Sequence, residues 1–220
     1  TWLCASDKAI KYEMDPRNIL KDDEIFQFLE LKYTNGAQTE KGIKTITEET
    51  FLSGDEIAKT LIKAGKKAGV DPYFITARLI QEQGKKGTVL SRGYEYEEKT
   101  VYNPFNIKAS GNSQSEIIEN AAKYAYEQDW DTLEKGLLGG VEFVKEGYIN
   151  KGQNTLYLQK FDVVKQDGKL YTNQYMQNLL AATSEASNMR KIYDNSNSTD
   201  TNLNFIIPLY EKMPEKAEER

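Results

Sequence analysis

The groups in this 220-residue chain that could do acid–base chemistry are few in kind, because it contains no histidine. That absence removes Ser-His-Asp and Cys-His nucleophile systems and the usual zinc sites together. No metal and no cofactor is therefore expected, and chemistry falls to carboxylates, tyrosine or lysine. Among the carboxylates, Glu82 has the most telling position, near the end of an apolar helical stretch that Gly84 should stop. A carboxyl group in the last turn of a helix faces the negative end of the helix dipole, and burial against aromatic residues would act in the same direction, so both favour a proton on Glu82. Such a group suits general-acid delivery to a leaving-group oxygen. Lys85 and Lys86 pull the other way, and a glutamate late in a helix is more often a solvated surface residue. Fourteen tyrosines and two tryptophans offer flat faces with polar tips suited to stacking on sugar rings. The competing reading is that residues such as Tyr124, Trp130 and Tyr148 simply hold helices together.

Five segments of helical periodicity have to position these groups, and no long segment alternates as a strand would, so the chain reads as mainly α. Ser53-Gly54-Asp55-Glu56 predicts a capping box, with Ile57, Leu61, Ile62, Gly65 and Ala68 recurring behind it. Asp71-Pro72 starts the next helix, with Asp as N-cap and Pro at the first helical position; Phe74, Ala77 and Ile80 give its apolar face, and Glu82 lies in its last turn. From Lys85 to about Asn112 a Gly- and Tyr-rich stretch reads as a loop or small hairpin beside that helix end. Further helices are expected over Ser115–Gln128, Thr132 to about Gly147, and Asn173 to about Lys191. Residues 1–52 read as an N-terminal helical arm, 53–194 as the catalytic body, and 195–220 as a polar linker and charged tail. No internal repeat is evident.

The whole chain bounds the function classes. With 39% apolar and 29% charged residues it should fold around a core. No run approaches the roughly 18 apolar residues of a membrane span. A net charge of −5 and a pI near 5.1 argue against nucleic acid as the main partner. The single Cys4 allows no intrachain disulfide. Thr1-Trp2-Leu3-Cys4-Ala5-Ser6-Asp7 carries neither an initiating Met nor a signal pattern, so the chain looks like a piece cut from a longer protein. Lys63-Ala64-Gly65-Lys66-Lys67 with Lys85-Lys86 could form a basic edge for anionic wall polymers, although a solvated helix face explains these lysines more simply.

Four segments in order carry a family likeness: Ile75-Thr76-Ala77-Arg78-Leu79-Ile80-Gln81-Glu82-Gln83-Gly84, Val101-Tyr102-Asn103-Pro104-Phe105-Asn106-Ile107-Lys108-Ala109, Tyr148-Ile149-Asn150-Lys151-Gly152-Gln153-Asn154-Thr155-Leu156-Tyr157, and Asn173-Gln174-Tyr175-Met176. Together with Trp130-Asp131-Thr132 and Gly139-Gly140 between them, they resemble the glycoside hydrolase family 73 β-N-acetylglucosaminidases, especially the autolysin catalytic domains of clostridia and staphylococci. Asp15-Pro16-Arg17-Asn18 followed by Ile25-Phe26-Gln27-Phe28 extends the likeness to most of the chain.

The resemblance implies a lysozyme-like helical body with a small lobe and a glycan groove between them. The implied activity is hydrolysis of the β-1,4 bond between N-acetylglucosamine and N-acetylmuramic acid, by a secreted enzyme acting as a monomer on peptidoglycan glycan strands at the cell wall of a Gram-positive bacterium. Glu82 matches the family's proton-donating glutamate and Tyr175 its Gln-Tyr tyrosine. Tyr102, Asn103, Phe105, Asn106, Gln153, Asn154, Tyr157 and Gln174 are the expected substrate-binding residues, with bracing of the helices as the alternative role for Gln153, Asn154 and Tyr157. Asn173 stands where many related autolysins carry His, which retains hydrogen bonding but no charge. A second carboxylate, roughly 5–10 Å from the acid, has Glu95, Glu97, Glu98, Glu116 and Glu119 as candidates; the alternative is attack by the substrate's own acetamido oxygen. The rival readings are a muramidase or lytic transglycosylase on the same fold, and a wall-binding module without turnover.

Overall fold

The computed structural model describes residues 4–22, 24–199 and 201–219. Thr1, Trp2 and Leu3 of the expected cut end, Asp200 of the polar linker and Arg220 of the tail lie outside the described residues. In chain order the elements are α1 (Asp7–Met14), α2 (Pro16–Ile19), α3 (Glu40–Thr47), α4 (Asp55–Ala68), α5 (Pro72–Gln83), α6 (Val89–Arg92), β1 (Tyr94–Tyr96), β2 (Lys99–Val101), α7 (Gln114–Glu127), α8 (Leu133–Gly147), α9 (Leu156–Phe161) and α10 (Ala181–Asn195). The mainly α expectation holds, and the stretch after Gly84 contains the small hairpin, with β1 antiparallel to β2 and Tyr94 opposite Val101.

Local chemistry explains where α5 begins and ends. The buried Asp71 carboxylate accepts from the Tyr73 and Phe74 amides at 2.7 and 3.4 Å, Pro72 opens the first turn, and Gly84 closes the helix at φ +67°, a conformation costly for residues with a Cβ. Helix α4 starts differently from expectation: Gly54 is its N-cap, with no side-chain cap bond, and Glu56 pairs with Lys59. The capping box does not form because Gly54 already takes the chain into the helix at φ +124°.

The main core gathers Leu61, Phe74, Leu79, Leu137 and Val141 from α4, α5 and α8. It also takes Phe26, Leu29, Leu31, Ile43 and Leu52 from the first 52 residues. The Asp71 amide donates to the Leu31 carbonyl, and Leu29 pairs with Phe205. The segment read as an arm thus shares the body's core, and the apolar 205–210 stretch packs back as well. A second core holds Leu90, Val101, Ile107, Ala121, Ala125 and Trp130 under the hairpin and α7; Phe105 touches both cores. It can do so because Gly140 of α8 leaves room: a Cβ there would lie 1.9 Å from the Phe105 ring. Two lobes meeting at Phe105 create the groove described below.

The helix expected over Asn173–Lys191 is shorter. Its apolar residues Ala182, Ala186 and Met189 are buried, but the helix begins at Ala181. Residues 173–176 run outside it, drawn away by hydrogen bonds to buried side chains.

Candidate active site

The C-terminal half of α5 presents Arg78 and Glu82 on one face, one helical turn apart. Both line a groove of about 580 Å³ whose other walls include Phe105, Asn106, Lys108, Phe143, Tyr148 and Tyr175. Glu82 is exposed in this open groove rather than buried against aromatics. It is nevertheless engaged: the Tyr175 hydroxyl donates to Glu82 Oε1 at 2.9 Å. The Tyr148 ring meets Tyr175 edge-on at 5.9 Å and 85°. Burial holds the Tyr175 hydroxyl well above the usual tyrosine range; neighbouring Arg78 lowers it, and the Glu185 and Glu82 carboxylates reinforce the rise. Burial raises Tyr148 too, again opposed by Arg78 and aided by Glu82. Both phenols therefore stay protonated and remain donors at any ordinary pH.

Tyr175 reaches this position without a helix of its own. A cluster of the buried Gln153 and Asp162 with the half-buried Asn173 fixes the chain just before it. The Asn173 amide N–H donates to Asp162 Oδ2 at 2.6 Å, the Asn173 side chain donates to Gln153 Oε1 and the Gly147 carbonyl, and Gln153 Nε2 donates to Asp162 Oδ1 at 3.0 Å. The Tyr175 amide then donates to the Gln159 carbonyl at 2.8 Å. After it, the buried Lys160 ammonium donates to the Met176 and Gln177 carbonyls at 2.8 and 3.3 Å; burial lowers its affinity for the proton. Met176 adopts φ +61°, the bend that turns the chain away from the groove.

The structure brings Glu82, Tyr175, Phe105 and Asn106 together at the groove and leaves six other expected site residues outside its lining. Asn103 is fully buried; it donates to the Ile107 and Ala121 carbonyls at 2.8 and 2.9 Å and accepts from the Ile107 amide. Its three bonds shape the turn that carries Asn106, at φ +52°, and Lys108, at φ +62°. Gln153 is buried in the cluster above. Tyr157 packs with Ile19, Phe28 and Phe161 in a third, smaller core, with its hydroxyl on the Met14 carbonyl and against the Tyr210 hydroxyl at 2.6 Å. The Asn154 carbonyl accepts from the Leu31 amide, Tyr102 lies beside Gly93, and Gln174 donates to the Lys160 carbonyl at 2.8 Å. Asn103, Gln153 and Gln174 shape the frame, because their side chains satisfy backbone carbonyls around the site. Tyr124 and Trp130 do pack together, edge to face at 5.5 Å, whereas Tyr148 lines the groove. None of the lysines at 63, 66, 67, 85 and 86 lines it, and Lys63 pairs with Glu134 at 3.4 Å.

Sequence reading passed over Arg78. An arginine inside the apolar run Ile75 to Ile80 was the available signal, since a cation placed there must be buried with a partner. Glu82 is the one carboxylate among the groove's lining residues; Glu95, Glu97, Glu98, Glu116 and Glu119 are not among them.

No family model matches the chain. Over 211 residues, 94% of its length, it is 31% identical to a beta-N-acetylglucosaminidase of Bacillus subtilis (strain 168), of which it spans 22%. The crystal structure of S. aureus glucosaminidase B superposes with a TM-score of 0.71 at 27% identity, covering 89% of this chain and 75% of that one. The crystal structure of the major bifunctional autolysin gives 0.72 at 25%, covering 96% and 85%. The likeness, which runs over almost the whole chain, is to the glucosaminidase domains of autolysins. Its two-lobed helical architecture is the lysozyme-like fold of those domains.

Proposed function

We propose that this domain hydrolyses the β-1,4 bond between N-acetylglucosamine and N-acetylmuramic acid in peptidoglycan, with Glu82 as general acid and then general base. The observation that carries the reading is the Tyr175–Glu82 hydrogen bond in a groove whose lining includes Phe105, Phe143 and Tyr148. A carboxyl group has two oxygens: with Oε1 accepting from Tyr175, Oε2 is free to hold the proton destined for the glycosidic oxygen. Phe143 and Val89, each 42% exposed on the groove wall, offer apolar surface to sugar rings, and Asn106 and Gln114 offer hydrogen bonds to hydroxyl and acetamido groups.

With a single carboxylate on the groove wall, the substrate supplies the nucleophile. The acetamido oxygen of N-acetylglucosamine bonds to its own anomeric carbon as the glycosidic C–O bond breaks, and the departing electron pair takes the Glu82 proton. The Glu82 carboxylate, steadied by the Tyr175 hydroxyl, then removes a proton from water, which opens the cyclic intermediate and leaves a reducing N-acetylglucosamine end. The domain acts on wall glycan outside the cell, as a monomer.

Mass spectrometry of fragments released from purified cell walls tests the bond choice. Reducing N-acetylglucosamine ends are expected. Reducing muramic ends would make the protein a muramidase, anhydro-muramic ends a transglycosylase, and binding without release a non-catalytic wall module.

A further inference from the structure

Beneath Tyr175 lies an arrangement that the proposed chemistry does not use directly. The Arg78 guanidinium is stacked between two rings, 3.8 Å from the Tyr175 centroid and 4.3 Å from that of Phe74. Its edge is held at two further points: Nη1 donates to Gln159 Oε1 and Nη2 to Glu185 Oε2, both at 2.9 Å. The side chains of Arg78 and Glu185 are 5% and 9% exposed, so this is a buried ion pair. Gln159 acts twice, fixing the guanidinium with its side chain and the Tyr175 amide with its carbonyl. Helices α5, α9 and α10 thus converge on one guanidinium, and the same α5 face that supports the Tyr175 ring through it also offers the carboxylate to the ring's hydroxyl.

We infer that Arg78, anchored by Glu185 and Gln159, is a positioning residue that sets the orientation of Tyr175 over Glu82. The inference rests on the proposed role of the Tyr175–Glu82 pair. Buried ion pairs are commonly replaceable by apolar residues without loss of stability, so stability alone does not explain an arginine here. What an apolar residue or a lysine cannot supply is a planar cation that stacks on two aromatic faces while bonding in its own plane to two anchors. The segment 173–176 has no helix or strand to hold its tyrosine, and the hydroxyl points at Glu82 only while the ring plane is held. Tyr148 restrains the ring's edge; Arg78 restrains its face.

Arg78→Lys, which keeps the charge and loses the plane, is the test. In a folded Arg78→Lys protein, kcat on purified walls falls by roughly 10- to 100-fold, the scale of a misplaced catalytic contact, while KM changes by less than about twofold. In a Tyr175→Phe background the same substitution costs less than about twofold more, because the contact it orients is already gone. Equal fractional losses in both backgrounds would overturn the inference and leave Arg78 a purely structural residue. A readout independent of turnover is the 19F resonance of 3-fluorotyrosine placed at position 175. In the otherwise unchanged protein, Glu82→Gln shifts that resonance; with Arg78→Lys present, the shift is lost. A retained shift overturns the inference even if walls prove not to be the substrate, in which case kinetics fail for every form of the protein while the resonance still decides. Should Arg78→Lys not fold, Glu185→Gln removes one anchor's charge at constant shape. It is expected to weaken the Glu82-dependent shift and lower kcat by about tenfold, and a protein keeping both in full would refute the proposal.

Discussion

Replacing Gly140 by alanine places one methyl group where the two lobes meet. A Cβ at this position would lie 1.9, 2.3 and 2.7 Å from three carbons of the Phe105 ring. Ordinary contact begins near 3.4 Å, so the ring has to retreat by about 1.5 Å. Phe105 bridges both cores and lines the groove beside Asn106, so the retreat moves the groove wall. Alanine in a helix interior gains roughly 1 kcal/mol over glycine, whereas overfilling a packed site costs roughly 1–3 kcal/mol. The net is a loss of up to about 2 kcal/mol, or a Tm lower by up to about 8 °C for a domain of this size. Gly147, the last residue of the same helix, supplies the control, because a Cβ there meets nothing within 4 Å; Gly147→Ala should be neutral or slightly stabilising. Calorimetry and turbidity loss of wall suspensions measure both effects. Gly140→Ala should also clear walls roughly 10- to 100-fold more slowly, since a shift of this size at a site boundary degrades substrate placement. A Gly140→Ala protein as stable as Gly147→Ala and fully active would show that Phe105 does not define the groove.

Two further outcomes are expected. Burial raises the Asp71 carboxyl to about 6 from its ordinary 3.8, against the hydrogen bonds from Tyr193 and the α5 amides that pull it back. The native state then binds this proton more tightly than the unfolded chain, so Asp71's contribution to stability declines as pH rises from about 4 to 6 and is level above. The span is about 3 kcal/mol; Asp71→Asn should flatten it in urea midpoints taken across that window, and an unchanged slope would contradict the assignment. Tyr175→Phe removes the hydrogen bond to Glu82, which at about 1.5–3 kcal/mol for a charged acceptor lowers kcat by about 10- to 100-fold with Tm nearly unchanged; near-normal turnover would return Tyr175 to a packing role.

The parts of the fold legible in the sequence were those with local causes. Asp71-Pro72 and Gly84 bound α5, so Glu82 could be placed in its last turn; Thr132 caps α8, and the span expected for α7 lies within one residue of the observed helix at each end. What escaped has long-range causes. The apolar stripe that marks α10 runs back in sequence to Tyr175, but Asp162, Gln159 and Lys160 pull residues 173–177 out of helix, and no periodicity reports a hydrogen bond formed eleven or more residues away. Helix α9 is buried on every side, so it shows no apolar stripe at all. Asn103, Gln153 and Tyr157 fall within the family-like motifs as Asn106 and Tyr175 do. Which of them face the groove depends on backbone turns that only the assembled lobes determine.

Glu82→Gln, assayed on purified cell walls, tests the central claim most directly. The substitution preserves shape and the hydrogen bond from Tyr175 while removing the transferable proton, so the Tm should match that of the unsubstituted protein and the release of reducing ends should fall by at least roughly 100-fold. A folded Glu82→Gln protein that still releases reducing ends at an undiminished rate would contradict the account.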